Sequence, residues 1–133
     1  MIKLSERDEL DLVDSNEIKN GFNINIEEKT ISNENYREVL FTTGQIQLVV
    51  MSLKPQEEIG EEKHNGSQFF RVEKGSGKAV INGKDVSLSD GISFIVPMGI
   101  SHNVINTGSE DLKLYTVYSP PQHNEKTVQK DKE

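Results

Sequence analysis

His64, His102 and His123 are the three histidines of this 133-residue chain, and two of them sit where they could do chemistry. Glu62, His64 and Gln68 are separated by even numbers of residues, so on one extended strand their side chains would leave the same face. Asn65-Gly66 predicts a kink before Gln68. His102 opens a second strand-like run after a Pro97-Met98-Gly99 turn. If the two strands face each other, two imidazoles, a carboxylate and an amide meet at one point. Nitrogen and oxygen donors without thiolate suit divalent Mn, Fe, Co, Ni, Cu or Zn. The competing reading is structural, because histidines of β-proteins are commonly buried and hydrogen-bonded or simply exposed. His123 follows Pro120-Pro121 in a polar stretch and is expected to be exposed; the alternative is that it folds back over the site.

The elements that must position these residues are short and β-like. Between residues 36 and 119, runs rich in apolar and β-branched residues alternate with turn residues: Gln45 to Leu53, Gln68 to Glu73, Lys78 to Ile81, Asp85 to Leu88, Ser93 to Val96, His102 to Ile105 and Leu112 to Tyr118. Asn82-Gly83 is a strong two-residue hairpin signal. This pattern predicts an all-β, antiparallel sandwich or barrel. Residues 1–35 are acidic and polar. The first twenty read as a short helix or turn, and Phe22 to Ile26 alternates like a half-buried strand. Residues 120–133 hold a single aliphatic residue, Val128, and read as an extended or disordered tail.

Composition narrows the function classes. There are no cysteines, so disulfides, thiolate metal sites and a cysteine nucleophile are excluded. A net charge of −7 argues against a nucleic-acid partner, which needs a basic face. No apolar run is long enough for a membrane span and the N-terminus lacks an apolar signal core, so a cytoplasmic protein is expected. Gly75-Ser76-Gly77-Lys78 resembles the end of a phosphate loop. It has Val72 where that loop needs glycine and Ala79 where it needs Ser or Thr, so a hairpin turn is expected there. Glu57, Glu58 and Glu61 read as a solvated acidic loop.

The residues also resemble a family. Gly91, Pro97, Gly99, His102 and Asn106 match the second cupin motif, G-x5-P-x-G-x2-H-x3-N, at every defined position. The first cupin motif, G-x5-H-x-H-x3,4-E-x6-G, falls in frame on Gln56, Glu62, His64, Gln68 and Gly75. Gln56 replaces its first glycine, Glu62 its first histidine and Gln68 its glutamate. The resemblance covers roughly residues 45–118.

The resemblance implies a single antiparallel β-barrel or jelly roll over residues 36–119, similar to the barrel of mannose-6-phosphate isomerase-like proteins. It implies one divalent transition metal ion, Mn, Fe, Ni or Zn, held by Glu62, His64, Gln68 and His102. Gly75, Gly91, Pro97, Gly99 and Asn106 would be corner and turn positions. One carboxylate and a neutral amide, in place of the usual three histidines and a glutamate, would leave the ion weakly held and Lewis-acidic. The function expected is a metalloenzyme of isomerase type acting on a sugar or keto acid. An iron-dependent dioxygenase and a non-catalytic small-ligand module are the alternatives. Small cupins often dimerise, and Phe22 to Ile26 could pair with a partner's sheet edge, so a homodimer is expected.

Around the site, alternation puts Phe70 and Val72 on the ligand face, with Val104 beside His102. Met51, Phe94 and Tyr115 are candidate wall residues. Tyr36, Tyr115, Tyr118 and Glu58 are candidate acid–base groups, each with a structural reading beside it. Arg37 or Arg71 could hold an anion by a bidentate contact, the plainer reading being a surface ion pair.

Overall fold

The computed structural model describes residues 19–133. Over these residues a short helix, α1 (Ile26–Ser32), precedes nine strands. They are β1 (Arg37–Thr42), β2 (Gln47–Leu53), β3 (Ser67–Lys74), β4 (Gly77–Ile81), β5 (Lys84–Leu88), β6 (Ser93–Val96), β7 (His102–Ile105), β8 (Leu112–Ser119) and β9 (Val128–Gln129). A six-stranded sheet has the order β6-β3-β8-β2-β1-β9, and a three-stranded sheet the order β5-β4-β7. Every pairing is antiparallel. Two such sheets enclosing one core are a jelly roll, in the open form rather than a closed barrel.

The strand expected at Phe22–Ile26 does not form. Asn25 caps a helix instead: its side chain accepts from the Glu28 amide at 3.0 Å, and Glu27 and Glu28 occupy the first turn. A capped turn with acidic residues at its positive end outweighs two-residue alternation over only five positions. Phe22 stacks on Phe41 with ring centroids 5.0 Å apart. The expectation for the first twenty residues falls outside the described residues except at its last two positions.

The β4–β5 hairpin forms as its turn chemistry demands. Asn82 and Gly83 both take positive φ, which the two-residue turn requires. The Gly75–Ser76 turn differs from the hairpin expected: β3 and β4 lie in different sheets, so it is a corner joining them. Gly66 passes close to the end of β8, where a Cβ would lie 2.3 Å from the Ser119 carbonyl oxygen.

Cross-strand register lays the interior of the large sheet down in layers. Val39, Val49, Thr116, Phe70 and Phe94 are paired in one row. Beside it runs a row of Thr42, Gln47, Tyr118, Gln68 and Val96. The first row is largely apolar, with Phe70 stacked on Phe94 at 4.7 Å. The second is mostly polar although Gln47, Gln68 and Tyr118 are all buried, which marks this end of the jelly roll as a place built for more than packing.

Asn106, the last residue of the second motif, is fully buried and structural. Its Nδ2 donates to the carbonyls of Leu53 and Glu110, and its Oδ1 accepts from the Gly108 amide. Residues 120–133 run back across the large sheet, and β9 pairs with β1 at Arg37 and Glu38.

Candidate metal centre

His102 sits at the start of β7, nine-tenths or more buried, facing the polar row of the large sheet. Its Nδ1 is 3.0 Å from the Ile100 carbonyl oxygen, which can only accept, so that nitrogen carries the proton and Nε2 keeps its lone pair. Nε2 faces Gln68 Oε1 at 3.1 Å. The amide's orientation is fixed from behind. Gln68 Nε2 donates to Thr116 Oγ1 at 2.9 Å, and that hydroxyl donates to the Phe69 carbonyl at 2.8 Å. An imidazole lone pair and an amide oxygen therefore confront each other in a buried place.

Glu62 and His64 arrive by another route than the one expected from parity. They lie before β3, not on it. An isolated bridge joins Glu62 to His102: each residue's amide donates to the other's carbonyl, at 2.8 and 3.0 Å. The chain then turns at Asn65-Gly66 into β3, bringing the His64 ring to 5.2 Å from the His102 ring, centroid to centroid. Glu62 Oε2 lies 2.7 Å from His64 Nε2 but out of line for an N–H···O bond, so Nε2 is a buried nitrogen with no hydrogen-bond partner.

The donor atoms of Glu62, His64 and His102 all fall within 4.8 Å of one another, and a metal ion fits this set. Neighbouring ligands at about 2.1 Å from a six-coordinate ion are separated by about 3 Å. The facing pairs here are 3.1 Å and 2.7 Å apart. A shared cation would resolve both the opposed lone pairs and the orphaned nitrogen. Imidazole, carboxylate and amide without thiolate is a donor set for a borderline divalent ion.

The remaining residues sort clearly. Phe70, Val72, Val104 and Met51, read from the sequence as ligand-face or wall residues, are buried in the core, and Phe94 packs against it. Tyr115 corrects the expectation: it packs on Phe69 at 6.2 Å and pairs with Arg71, on the other face of the sheet. Glu58 is exposed and accepts from Asn103 Nδ2. Arg71 has the expected ion pair, with Glu73 at 3.4 Å.

His123 overturns the exposed reading. Gln47, fully buried, accepts from the His123 amide at 3.0 Å and donates to its carbonyl at 2.7 Å. The imidazole is thereby set against Tyr118, with Nε2 3.2 Å from the hydroxyl and the rings edge-on at 5.1 Å. Tyr118 in turn meets the His64 ring edge-on at 5.4 Å. The signal that could have found this contact is Gln47 itself, a polar residue at the head of a largely apolar strand, which needs a partner when buried. Burial pushes the Tyr118 phenol up, and the nearby Glu62 adds to this, so Tyr118 keeps its proton. Burial holds His123 down to about 4, with Arg37 and His64 adding to the effect, so its imidazole is neutral at physiological pH.

Among the described residues no helix is long and apolar enough to cross a membrane. A family model for the cupin domain matches residues 49–118. The chain is 43% identical over 105 residues to uncharacterized protein L612 of Acanthamoeba polyphaga mimivirus, a match covering 75% of this chain and 66% of that one. It is 35% identical over 68 residues to a Thermotoga maritima protein named oxalate-binding protein, covering 50% of this chain and 56% of that one. Less than two thirds of either relative's length is therefore matched. The crystal structure of BH2720 from Bacillus halodurans superposes with a TM-score of 0.80 at 38% identity, over 82% of this chain and 88% of that one. With a family model matched over residues 49–118, the second motif complete, a jelly roll and a Glu-His-His group at its polar end, the chain belongs to the cupin family.

Proposed function

We propose that this chain is a metal-binding cupin in which Glu62, His64, Gln68 and His102 hold one divalent ion and present it to a small oxygen-rich molecule, a sugar or a keto acid, for an isomerase-type reaction. The observation that carries this reading is the convergence of three ionisable donors within 4.8 Å, with Gln68 Oε1 turned towards the same point. When bound, the ion supplies Lewis-acid polarisation of a carbonyl or hydroxyl. Glu62 contributes the set's only negative charge, and the neutral Gln68 amide offsets little of the ion's own, which favours that polarisation. Thr116 locks the Gln68 amide and Ile100 locks the His102 tautomer, so both donors are set before any ligand arrives. Tyr118 keeps its proton and is a hydrogen-bond donor beside His64.

Elemental mass spectrometry of the untagged protein tests this reading. About one equivalent of Mn, Fe, Ni or Zn is expected in the wild type, and none in a His64→Ala/His102→Ala variant. A wild type that holds no metal after reloading with each of these ions would remove it. The Thermotoga relative's name favours a second reading, a module that binds a small acid without turning it over. Ligand binding that persists with no turnover across sugars and keto acids would select it. A homodimer belongs to the same proposal, and a monomer mass in light scattering at micromolar concentration would sink it.

A further inference from the structure

Along each strand of the large sheet alternate residues face away from the core, where a sheet that meets water carries polar side chains. One outer row breaks this rule across five strands. Phe41 of β1 pairs with Leu48 of β2, Leu48 with Val117 of β8, Val117 with Phe69 of β3, and Phe69 with Ile95 of β6. Phe22 extends the row by stacking on Phe41. Phe41, Leu48, Val117 and Phe69 are half-buried, but Ile95 on the edge strand is 64% exposed and Phe22 is 42% exposed. Helix α1 packs against β2, β3 and β8, and at its end the Asn33 carbonyl accepts from Lys113 Nζ. That contact lies four residues along β8 from Val117, towards the other end of the strand.

Charge limits what can cover the row. It holds no Asp, Glu, Lys or Arg, in a chain that is 28% charged with a net charge of −7. Glu38, Arg71 and Lys113, at nearby outer positions, each lie within 4.0 Å of an opposite charge of the same chain, on Lys29, Glu73 and Asp111. A partner drawn by charge would find nothing to read here. A second copy carries the same −7, and two such surfaces repel unless they meet where charge is absent. Five strands about 4.8 Å apart make the row about 19 Å wide. That is the scale of the apolar centre of a standard interface, which covers about 800 Å² on each partner. We propose that the row Phe41–Leu48–Val117–Phe69–Ile95 is the face on which two copies of this chain meet. A twofold axis running along the strands past Val117 sets Ile95 against the partner's Phe22 and Phe41. The proposal rests on the homodimer reading and deepens it, moving the contact from a sheet edge to a sheet face; it is independent of the metal.

Sedimentation velocity of the full-length protein at micromolar concentration tests it. The wild type is expected as a dimer that raised salt does not dissociate, because no ion pair holds it. Ile95→Glu should weaken dimerisation about a hundredfold or more, since symmetry puts two buried charges in one interface, and Ile95→Lys should do the same. Both changes fall on an exposed position, so circular dichroism and the thermal midpoint should match the wild type. Ser87→Glu adds the same charge on β5 of the other sheet and should leave the dimer intact. Equal loss in Ser87→Glu would make the effect one of net charge and overturn the proposal. Dimerisation unaltered by Ile95→Glu and Ile95→Lys also overturns it, and leaves the homodimer reading standing on another face. A monomeric wild type overturns both. Hydroxyl-radical footprinting of that monomer would then say what covers the row: protected Phe69 and Ile95 assign it to another segment of the same chain, and reactive ones leave it to an unlike partner.

Discussion

Loading the Glu62–His64–Gln68–His102 group with an ion should raise the unfolding temperature, and the size of the rise follows from the chain. A ligand that binds only the folded state at a hundredfold excess over its Kd stabilises by about 2.7 kcal/mol. Unfolding entropy is about 2.1 cal/mol/K per residue, so a chain of 133 residues changes by roughly 0.28 kcal/mol/K. The midpoint should therefore move up by about 10 °C. The assay is scanning calorimetry of chelator-treated protein with and without Mn, Fe, Ni or Zn. The His64→Ala/His102→Ala variant has a lower ion-free midpoint because buried His102 is lost. The difference between loaded and unloaded samples is thus the quantity to read, and for this variant it should vanish. Gln68→Ala removes a neutral donor only; a tenfold weaker Kd, about 1.4 kcal/mol, would roughly halve the shift. The shift should also shrink as pH falls, since the donors must be deprotonated to bind. An equal shift in wild type and double variant, or none in the wild type with any of the four ions, would refute the reasoning.

Three further outcomes rest on single residues. His123 has a folded pKa of about 4 against 6.5 for the free imidazole, through burial and the neighbouring Arg37 and His64, with Tyr118 as its hydrogen-bond partner. Between these values the unfolded chain takes up a proton that the folded one refuses. His123 therefore costs no stability above about pH 6.5 and progressively more as pH falls towards 4. His123→Gln should lose less than the wild type in urea midpoint between pH 7 and pH 4.5; equal losses would contradict the assignment. Gln47→Leu leaves the Gln122 and His123 amides and the His123 carbonyl without their side-chain partner, at about 1–3 kcal/mol. Hydrogen exchange at residues 122 and 123 should accelerate, and unchanged protection there would count against the seating role. Gln56 has φ +70°, the left-handed region, where the first motif has glycine. Gln56→Gly should accordingly stabilise by up to about 1 kcal/mol in denaturant titration, and a loss of stability would show that the Gln56 side chain contributes more than its backbone strain costs.

Much of this architecture was legible because it is local. Period-two alternation and turn residues outline β2 to β8 to within two residues at each end. The second motif's spacing pointed to His102 as a site residue and Asn106 as a structural one. Gln56 shows the same kind of determination in reverse: the side chain departs from the motif, but the turn keeps the backbone conformation that the motif's glycine would serve. Phe22–Ile26 was misread because five alternating residues carry less free energy than the Asn25 cap that follows from the same stretch.

What the sequence by itself determined is which donors are available and which segments are extended, since residue type and backbone preference are properties of a few neighbouring positions. The tertiary structure alone decided how the donors meet. Glu62 reaches His102 through a bridge between segments 40 residues apart, not through alternation on one strand. His123 reaches Tyr118 because a buried amide on β2 must find partners, and the returning tail supplies them. Arg37 and Arg71 are alike in composition and strand context. Among the described residues Arg71 is paired with Glu73 and Arg37 has no carboxylate partner, because cross-strand register sends the first to the outer face of the large sheet and the second to its inner face.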